Sequence, residues 1–406
     1  MLPNLSISMT NKKIHVIIRL TMLTDNAQKL IQLIHNHPAR TVLVTTGAGA
    51  QAIADLLAVG GASRTVIEAL VPYSQAAFDD FLDQPPEQYV AAQTARLLAG
   101  RAYTRGRWLE PTADSLIGLA CTAAIASDRP KKGEHRAHIA RWQPTQLVEY
   151  NLHLTKGARD RGGEEALVSH VILNALAAAC GLEQQLALSF AADDQLTTQT
   201  YDFAALAAQL HQGERNFFGL HAHGVPYAAG EAPEVILSGS FNPLHEGHLG
   251  MVQAASQLLG KPVAFELAAV NVDKPPLEPA TVLNRIAQFA GRYAIFVSNA
   301  PTYILKAQLY PGVTFVVGYD TAIRIFDPRY YGGSVANMEA ALAEIQARGC
   351  KFLVAGRVDN AGNFRSLADL PVPAAFADLF SAIPAELFRH DISSTVLRTQ
   401  GARGSR

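Results

Sequence analysis

The sequence predicts a two-domain α/β protein whose second domain is built on a doubly wound parallel sheet. Three observations carry this expectation. The chain has 406 residues, more than one compact core usually holds. Apolar runs alternate with segments of helical period from Asn26 to about Leu210 and again from Glu234, and strands separated by helices at this spacing imply a parallel sheet covered on both faces. Between the two stretches, residues 212–233 are rich in Gly, His, Pro and Ala, the composition of a linker. The expected organisation is an N-terminal extension over 1–24, a first domain over 25–211, a linker over 212–233 and a second domain over 234–406.

Taken in order, the extension contains the apolar run His15–Leu23, but Arg19 interrupts it and no small-residue cleavage site follows, so it does not read as a signal peptide. In the first domain the period predicts a helix over Gln28–Asn36, a strand over Thr41–Thr45 and, after a glycine-bearing turn, a helix over Ala50–Ala58. A strand over Val66–Val71, a helix over Gln88–Ala99 and strands over Ser115–Thr122 and Ala137–Trp142 follow. The helix Glu164–Cys180 is closed by Gly181, a residue that accepts φ > 0. In the linker, Phe217 and Phe218 offer an anchor, and His221 and His223 read as solvated loop residues. The second domain reads as strand Glu234–Leu237, helix His248–Leu259, strand Val263–Val270, helix Thr281–Phe289 and strand Ile295–Ser298. Helix Thr302–Tyr310, strand Thr314–Val317, helix Met338–Arg348 and strand Lys351–Ala355 complete it.

Composition excludes several function classes. Lys and Arg total 34 against 35 Asp and Glu, so no basic field exists to attract a nucleic acid. No run reaches the roughly 18 apolar residues of a membrane helix. Cys121, Cys180 and Cys350 are far apart, which argues against a disulfide framework or a zinc ribbon and for a reducing, cytoplasmic setting.

The sharpest feature is Ser238-Gly-Ser-Phe-Asn-Pro-Leu-His-Glu-Gly-His-Leu249, set between a hydrophobic strand and an amphipathic helix. A helix N-terminus offers free N–H groups and a positive dipole end, and Gly239 and Gly247 permit close approach of a ligand to the backbone, with Ser240 and Phe241 beside them. His245 and His248, three residues apart, can donate to one anion as a phosphorus centre becomes crowded. Glu246 reads as solvated, and the pair lacks a third ligand for a metal. Near the C-terminus, Asp391-Ile-Ser-Ser-Thr-Val-Leu-Arg398 places three hydroxyls before a guanidinium. Alone this is either a helix cap or an anion site; beside the first motif it reads as a second phosphate site.

Together the two motifs resemble the nucleotidylyltransferase family with the His-x-Gly-His signature, whose second signature is Ile-Ser-Ser-Thr-x-x-Arg. The resemblance covers Glu234 to about Arg398. Class I aminoacyl-tRNA synthetases share the first motif but carry a Lys-Met-Ser-Lys-Ser loop in place of Ile392–Arg398. Within the family the likeness is closest to nicotinamide or nicotinate mononucleotide adenylyltransferases: Asn271–Leu277 stands where their substrate-side loop does, and Gly318-Tyr319-Asp320 where their Gly-x-Asp does. By itself Asp320 reads equally as the cap of a helix over Thr321–Phe326. The resemblance implies a Rossmann-like fold and transfer of AMP from ATP to the mononucleotide with release of pyrophosphate, in NAD biosynthesis. It assigns His245, His248 and Arg398 to catalysis. It assigns Gly239, Ser240, Phe241, Gly247, Gly318, Asp320, Ile392, Ser393, Ser394 and Thr395 to the nucleotide, and Asn271 and Lys274 to the acceptor. ATP is then the co-substrate and Mg2+ rides mainly on its phosphates. The alternatives are a cytidylyltransferase or another nucleotidylyltransferase with a different phosphorylated acceptor, and a non-catalytic nucleotide-sensing protein.

In the first domain, Thr45-Thr-Gly-Ala-Gly-Ala50, Val59-Gly-Gly-Ala-Ser63 and Val71-Pro-Tyr-Ser-Gln75 resemble the CinA-type nicotinamide-nucleotide amidase domain over about Gln28–Leu188. Aligned on Tyr73 and Ser74, the nucleophile position falls on Thr46 and the lysine position on Phe78, and a hydroxyl nucleophile without a base is inert. The family's glycine-rich turn is replaced by Thr122-Ala-Ala-Ile-Ala-Ser127. The resemblance therefore implies an inactive domain that binds a nucleotide, mediates homo-oligomerisation or braces its neighbour. Small-molecule nucleotides are the expected partners, with no nucleic acid and no membrane.

Overall fold

Strand-forming runs and amphipathic helices assemble into two α/β units in the computed structural model, which describes residues 5–10, 13–18, 23–129, 132–270, 275–359 and 362–389. The units are Met1–Tyr201 and Asp202–Arg406. Asn271, Lys274, Ile392, Ser393, Ser394, Thr395 and Arg398 lie outside the described residues.

In the first unit, β1 (Leu5–Thr10) and β2 (Lys13–Ile18) pair as an antiparallel hairpin within the stretch read as an extension. Helix α1 (Asp25–Asn36) starts where Thr24 accepts the Ala27 N–H, an N-cap that satisfies one orphan donor. Then come β3 (Arg40–Thr46), α2 (Ala50–Ala58), β4 (Val66–Leu70), α3 (Gln75–Leu82), α4 (Ala92–Leu109) and β5 (Leu116–Ala124). The unit ends with β6 (His135–Trp142), β7 (Gln146–Leu154), α5 (Arg161–Ala179) and β8 (Gln195–Asp202). The sheet order is β4-β3-β5-β6-β7-β8; β4, β3 and β5 run parallel, and β5, β6 and β7 antiparallel. Ile31, Ile34, Leu43, Ile117, Ile139, Val168 and Leu176 fill the core under this sheet. Helix α4 lies so close to β5 that a Cβ on Gly118 would sit 2.2 Å from the Ala99 carbonyl oxygen.

The second unit opens with α6 (Phe203–His211) and β9 (Phe217–Leu220), followed by β10 (Val235–Gly239), α7 (Glu246–Leu259), β11 (Ala264–Ala268), α8 (Pro279–Ile286) and β12 (Ile295–Ser298). Next are α9 (Tyr303–Leu309), β13 (Thr314–Gly318), α10 (Tyr319–Ile325), α11 (Val335–Ala347) and β14 (Lys351–Ala355). A short hairpin, β15 (Arg357–Val358) with β16 (Phe364–Arg365), precedes β17 (Phe380–Ile383). The seven strands are ordered β17-β14-β13-β10-β11-β12-β9, all parallel except β9, which pairs antiparallel with β12. From β10 the chain first builds outward through β11 and β12, then returns to β13 on the other side. The crevice beyond the carboxyl ends of β10 and β13 is the topological switch point, where ligands bind in open α/β sheets.

The linker expectation over 212–233 needs correction. The division falls between Tyr201 and Asp202, and Phe217–Leu220 is a strand whose partners are Ser298 to Ile295. Phe218 and Leu220 are buried there, so apolar burial turned a Gly- and His-rich segment into a sheet edge. Among the described residues no helix is long and apolar enough to cross a membrane.

Candidate functional site

The site grows from β10, the strand at the switch point. Its last residues hand over to a loop in which Phe241 sits at φ +42° and Asn242–Pro243 is cis. The left-handed region is unfavourable for a bulky residue, and packing holds it: Phe241 is fully buried, edge-on to Phe265, Phe289 and His248. Gly239 is required for the same reason, because a Cβ there would lie 2.6 Å from Phe241 Cε1. Gly239 thus makes room for Phe241, and what Phe241 and Gly239 can offer a ligand is backbone. Ser240 is exposed and Gly247 buried in the first turn of α7.

His245 is the N-cap of α7 and His248 its third helical residue, and each side chain caps the other's backbone. The His245 N–H donates to His248 Nδ1 at 3.3 Å, which leaves the proton of a neutral His248 on Nε2. The rings stack with centroids 3.7 Å apart, and His245 is 8% exposed. One pair of imidazoles therefore satisfies the helix start and presents ring nitrogen at a positive dipole end. Glu246 is exposed, as expected.

Two residues missed by sequence reading hold the loop from α8 and the turn after it. Gln288 Nε2 donates to the Phe241 carbonyl at 2.9 Å while its Oε1 accepts the Leu244 N–H at 2.9 Å. Arg285 donates to the Ser240 carbonyl at 3.0 Å and has no acidic partner among the described residues; burial holds its pKa below the usual arginine value. The signal for both was only amphipathic periodicity, which cannot distinguish a loop clamp from a solvated side chain. Beneath the loop, Glu266 and Lys306 form a buried ion pair, with Ser298 Oγ donating to Glu266 at 2.6 Å.

On the β13 side, Gly318 is the N-cap of α10 and Asp320 lies in its first turn. The reading of Asp320 as a cap is therefore corrected: its carboxylate pairs with Arg357, just beyond β14. The C-terminal chain returns to this end of the unit, since a Cβ on Gly250 would lie 2.9 Å from Phe388 Cε2. In the first unit, Ser74 caps α3 by accepting from Ala77 N–H, Tyr73 is exposed, and Phe78 is buried against Tyr89. Among the described residues no group of three or more His, Cys, Asp or Glu is placed to hold a metal ion.

Residues 236–400 match the family described as Cytidylyltransferase-like. The C-terminal unit carries a cytidylyltransferase-like domain. A curated relative, the putative nicotinamide mononucleotide adenylyltransferase of Schizosaccharomyces pombe, is 33% identical over 119 residues, 25% of this chain and 45% of that protein. The chain thus spans less than half the length of that relative. Solved structures similar to the N-terminal part include the competence/damage inducible protein CihA of Agrobacterium tumefaciens, at 18% identity and a TM-score of 0.33, covering 39% of this chain and 99% of that one. A CinA superfamily protein of Escherichia coli gives 16% and 0.31, covering 40% and 95%.

Proposed function

We propose that the protein transfers AMP from ATP to nicotinamide or nicotinate mononucleotide, releasing pyrophosphate. The observation that carries this reading is the mutually capping His245–His248 pair at the N-terminus of α7, on the switch-point strand of a cytidylyltransferase-like domain. The relative named for mononucleotide adenylyltransfer supports the choice of acceptor.

In this reading a phosphate oxygen of the mononucleotide attacks the α-phosphorus in line, the bond to the bridging oxygen breaks, and pyrophosphate leaves. No covalent intermediate on the protein is needed, so its work is positioning and charge stabilisation. His248 donates from Nε2 to the crowded phosphoryl group, and His245 keeps that ring in place while contributing its own. The α7 amides and Arg285 add positive potential, and Ile392–Thr395 with Arg398 would hold the departing phosphates. Asn271 and Lys274 would receive the acceptor, and Asp320 would accept from a ribose once Arg357 releases it. Magnesium carried on the phosphates supplies further charge neutralisation.

The test is incubation of the full chain with ATP or CTP and each mononucleotide, following pyrophosphate and dinucleotide. Adenylylated product with ATP is expected. Product with CTP alone would replace this reading with cytidylyl transfer, and binding without any pyrophosphate would replace it with a nucleotide sensor.

A further inference from the structure

We propose that the Arg357–Asp320 ion pair is the closed state of the nucleotide site, and that Arg357 turns to the polyphosphate of the incoming nucleotide when the ribose takes the Asp320 carboxylate. The proposal rests on the nucleotidyl-transfer reading above and deepens it: the substrate opens its own site by exchanging two contacts for one ion pair.

The pair sits at the carboxyl ends of adjacent parallel strands. Gly318 of β13 lies opposite Ala355 of β14, and Asp320 and Arg357 each stand two residues further on. Arg357 Nη1 donates to Asp320 Oδ2, with the side chains 33% and 60% exposed. An ion pair this open to water contributes about fivefold or less to an equilibrium. It can cover the carboxylate without locking it.

The hairpin that carries Arg357 explains where its charge must go next. Strand β15 pairs antiparallel with β16, which sets Arg357 opposite Arg365, and like charges facing across strands repel unless each has an anion. Arg365 has two, Asp359 at 2.9 Å and Asp369 at 3.4 Å. Among the described residues the acidic partner of Arg357 is Asp320. A ribose on Asp320 therefore leaves one guanidinium facing another, and the polyphosphate is the anion that arrives with that ribose. The backbone has no room to follow: a Cβ on Gly356 would lie 2.4 Å from Phe364 Cζ and 2.7 Å from the Arg365 carbonyl oxygen. Only the Arg357 side chain has to turn.

Contacts on the page connect this hairpin to the histidines. The Arg389 guanidinium lies over the Phe364 ring, 5.8 Å from its centroid. The residue before it, Phe388, is the one that meets Gly250 in the helix begun by His245 and His248. Arg357 thus belongs to the same end of the unit as the imidazole pair. An arginine–phosphate contact is charge-assisted and can be bidentate, so it outweighs an exposed pair with one carboxylate. The arriving polyphosphate wins the guanidinium.

Isothermal titration calorimetry of the full chain with adenosine and with inorganic pyrophosphate separates the two halves of the exchange; cytidine replaces adenosine if turnover requires CTP. Arg357→Gln should tighten adenosine about threefold, since nothing then competes for Asp320, and weaken pyrophosphate about tenfold, since a charge-assisted contact is lost. Asp320→Ala should do the reverse, tightening pyrophosphate about threefold and weakening adenosine about tenfold. The pyrophosphate gain should vanish in the double variant, where there is no guanidinium to release. Opposite signs for the two probes are what a merely structural pair would not produce. Changes of the same sign for both probes, no change, or a pyrophosphate gain that survives in the double variant would overturn the proposal while turnover of ATP or CTP still stands. A wild type that neither binds nor turns over a nucleotide would overturn the transfer reading and this proposal together. Should Arg357→Gln unfold, as far-UV circular dichroism would reveal, the two signs of the exposed Asp320→Ala decide alone.

Discussion

Both units run a strand into a helix through a tight turn, and the two turns are filled differently. Where β3 enters α2, Gly49 at φ +97° caps without a side chain, and the first amides are taken by Glu165 and Ser169, both from α5. Where β10 enters α7, imidazoles cap the helix and one another. The first turn spends its donors on the fold's own carboxylate; the second covers them with groups that can also reach a ligand. A strand–turn–helix shape therefore does not by itself make an anion site. The group that occupies its amides decides.

The comparison can be broken most forcefully at its packing. Phe241→Ala removes the ring that holds the β10 turn and should cost about 3–5 kcal/mol, read as a lower urea midpoint for the second unit. His248→Ala should lower pyrophosphate release by about 10²–10³-fold while the thermal unfolding midpoint moves little; equal loss of both would make the histidine pair a structural cap only. On the other side, Glu165→Ala leaves two amides without their acceptor and should cost about 1–3 kcal/mol. Sulfate should restore part of that in the variant and do nothing for wild type, as thermal melts with and without the salt would show.

The smallest effect is one of pH. His35 and His138 have pKa values lowered chiefly by burial. At His35 the Leu56 carbonyl opposes this and Arg64 adds to it; at His138 the Asn151 oxygen opposes it and Arg136 adds. With a folded value below the unfolded one of about 6.5, each contributes stability that is complete above that pH and lost as pH falls through the folded value. The first unit should therefore weaken on acidification, and His138→Gln should flatten that slope in urea titrations between about pH 5 and 8.

Much of the second unit was legible because its strands have buried apolar centres: Ile295–Ser298 and Lys351–Ala355 were read with the limits they have, and Glu234–Leu237 fell within one or two residues. The first unit was harder for definable reasons. Strand β7 escaped notice because Glu149, Asn151 and His153 break its apolar pattern, Glu149 being buried where Arg96 and the Asn151 amide engage its carboxylate. Helix α4 was expected to stop near Ala99, yet it continues through Gly100 to Leu109, with Gly106 lying where a Cβ would meet Leu116 of the sheet at 2.7 Å. At the site, the histidines were visible in sequence, whereas Gln288 and the burial of Phe241 depend on long-range contacts that no local pattern announces.

Strand β9 has a practical corollary. A fragment excised at residue 234, where sequence composition puts the domain start, would lack it. Strand β12, whose four residues are all buried, would then become the naked rim of the sheet, with unpaired amides and carbonyls ready to recruit another molecule. Such a fragment should precipitate where one cut at residue 202 stays in solution.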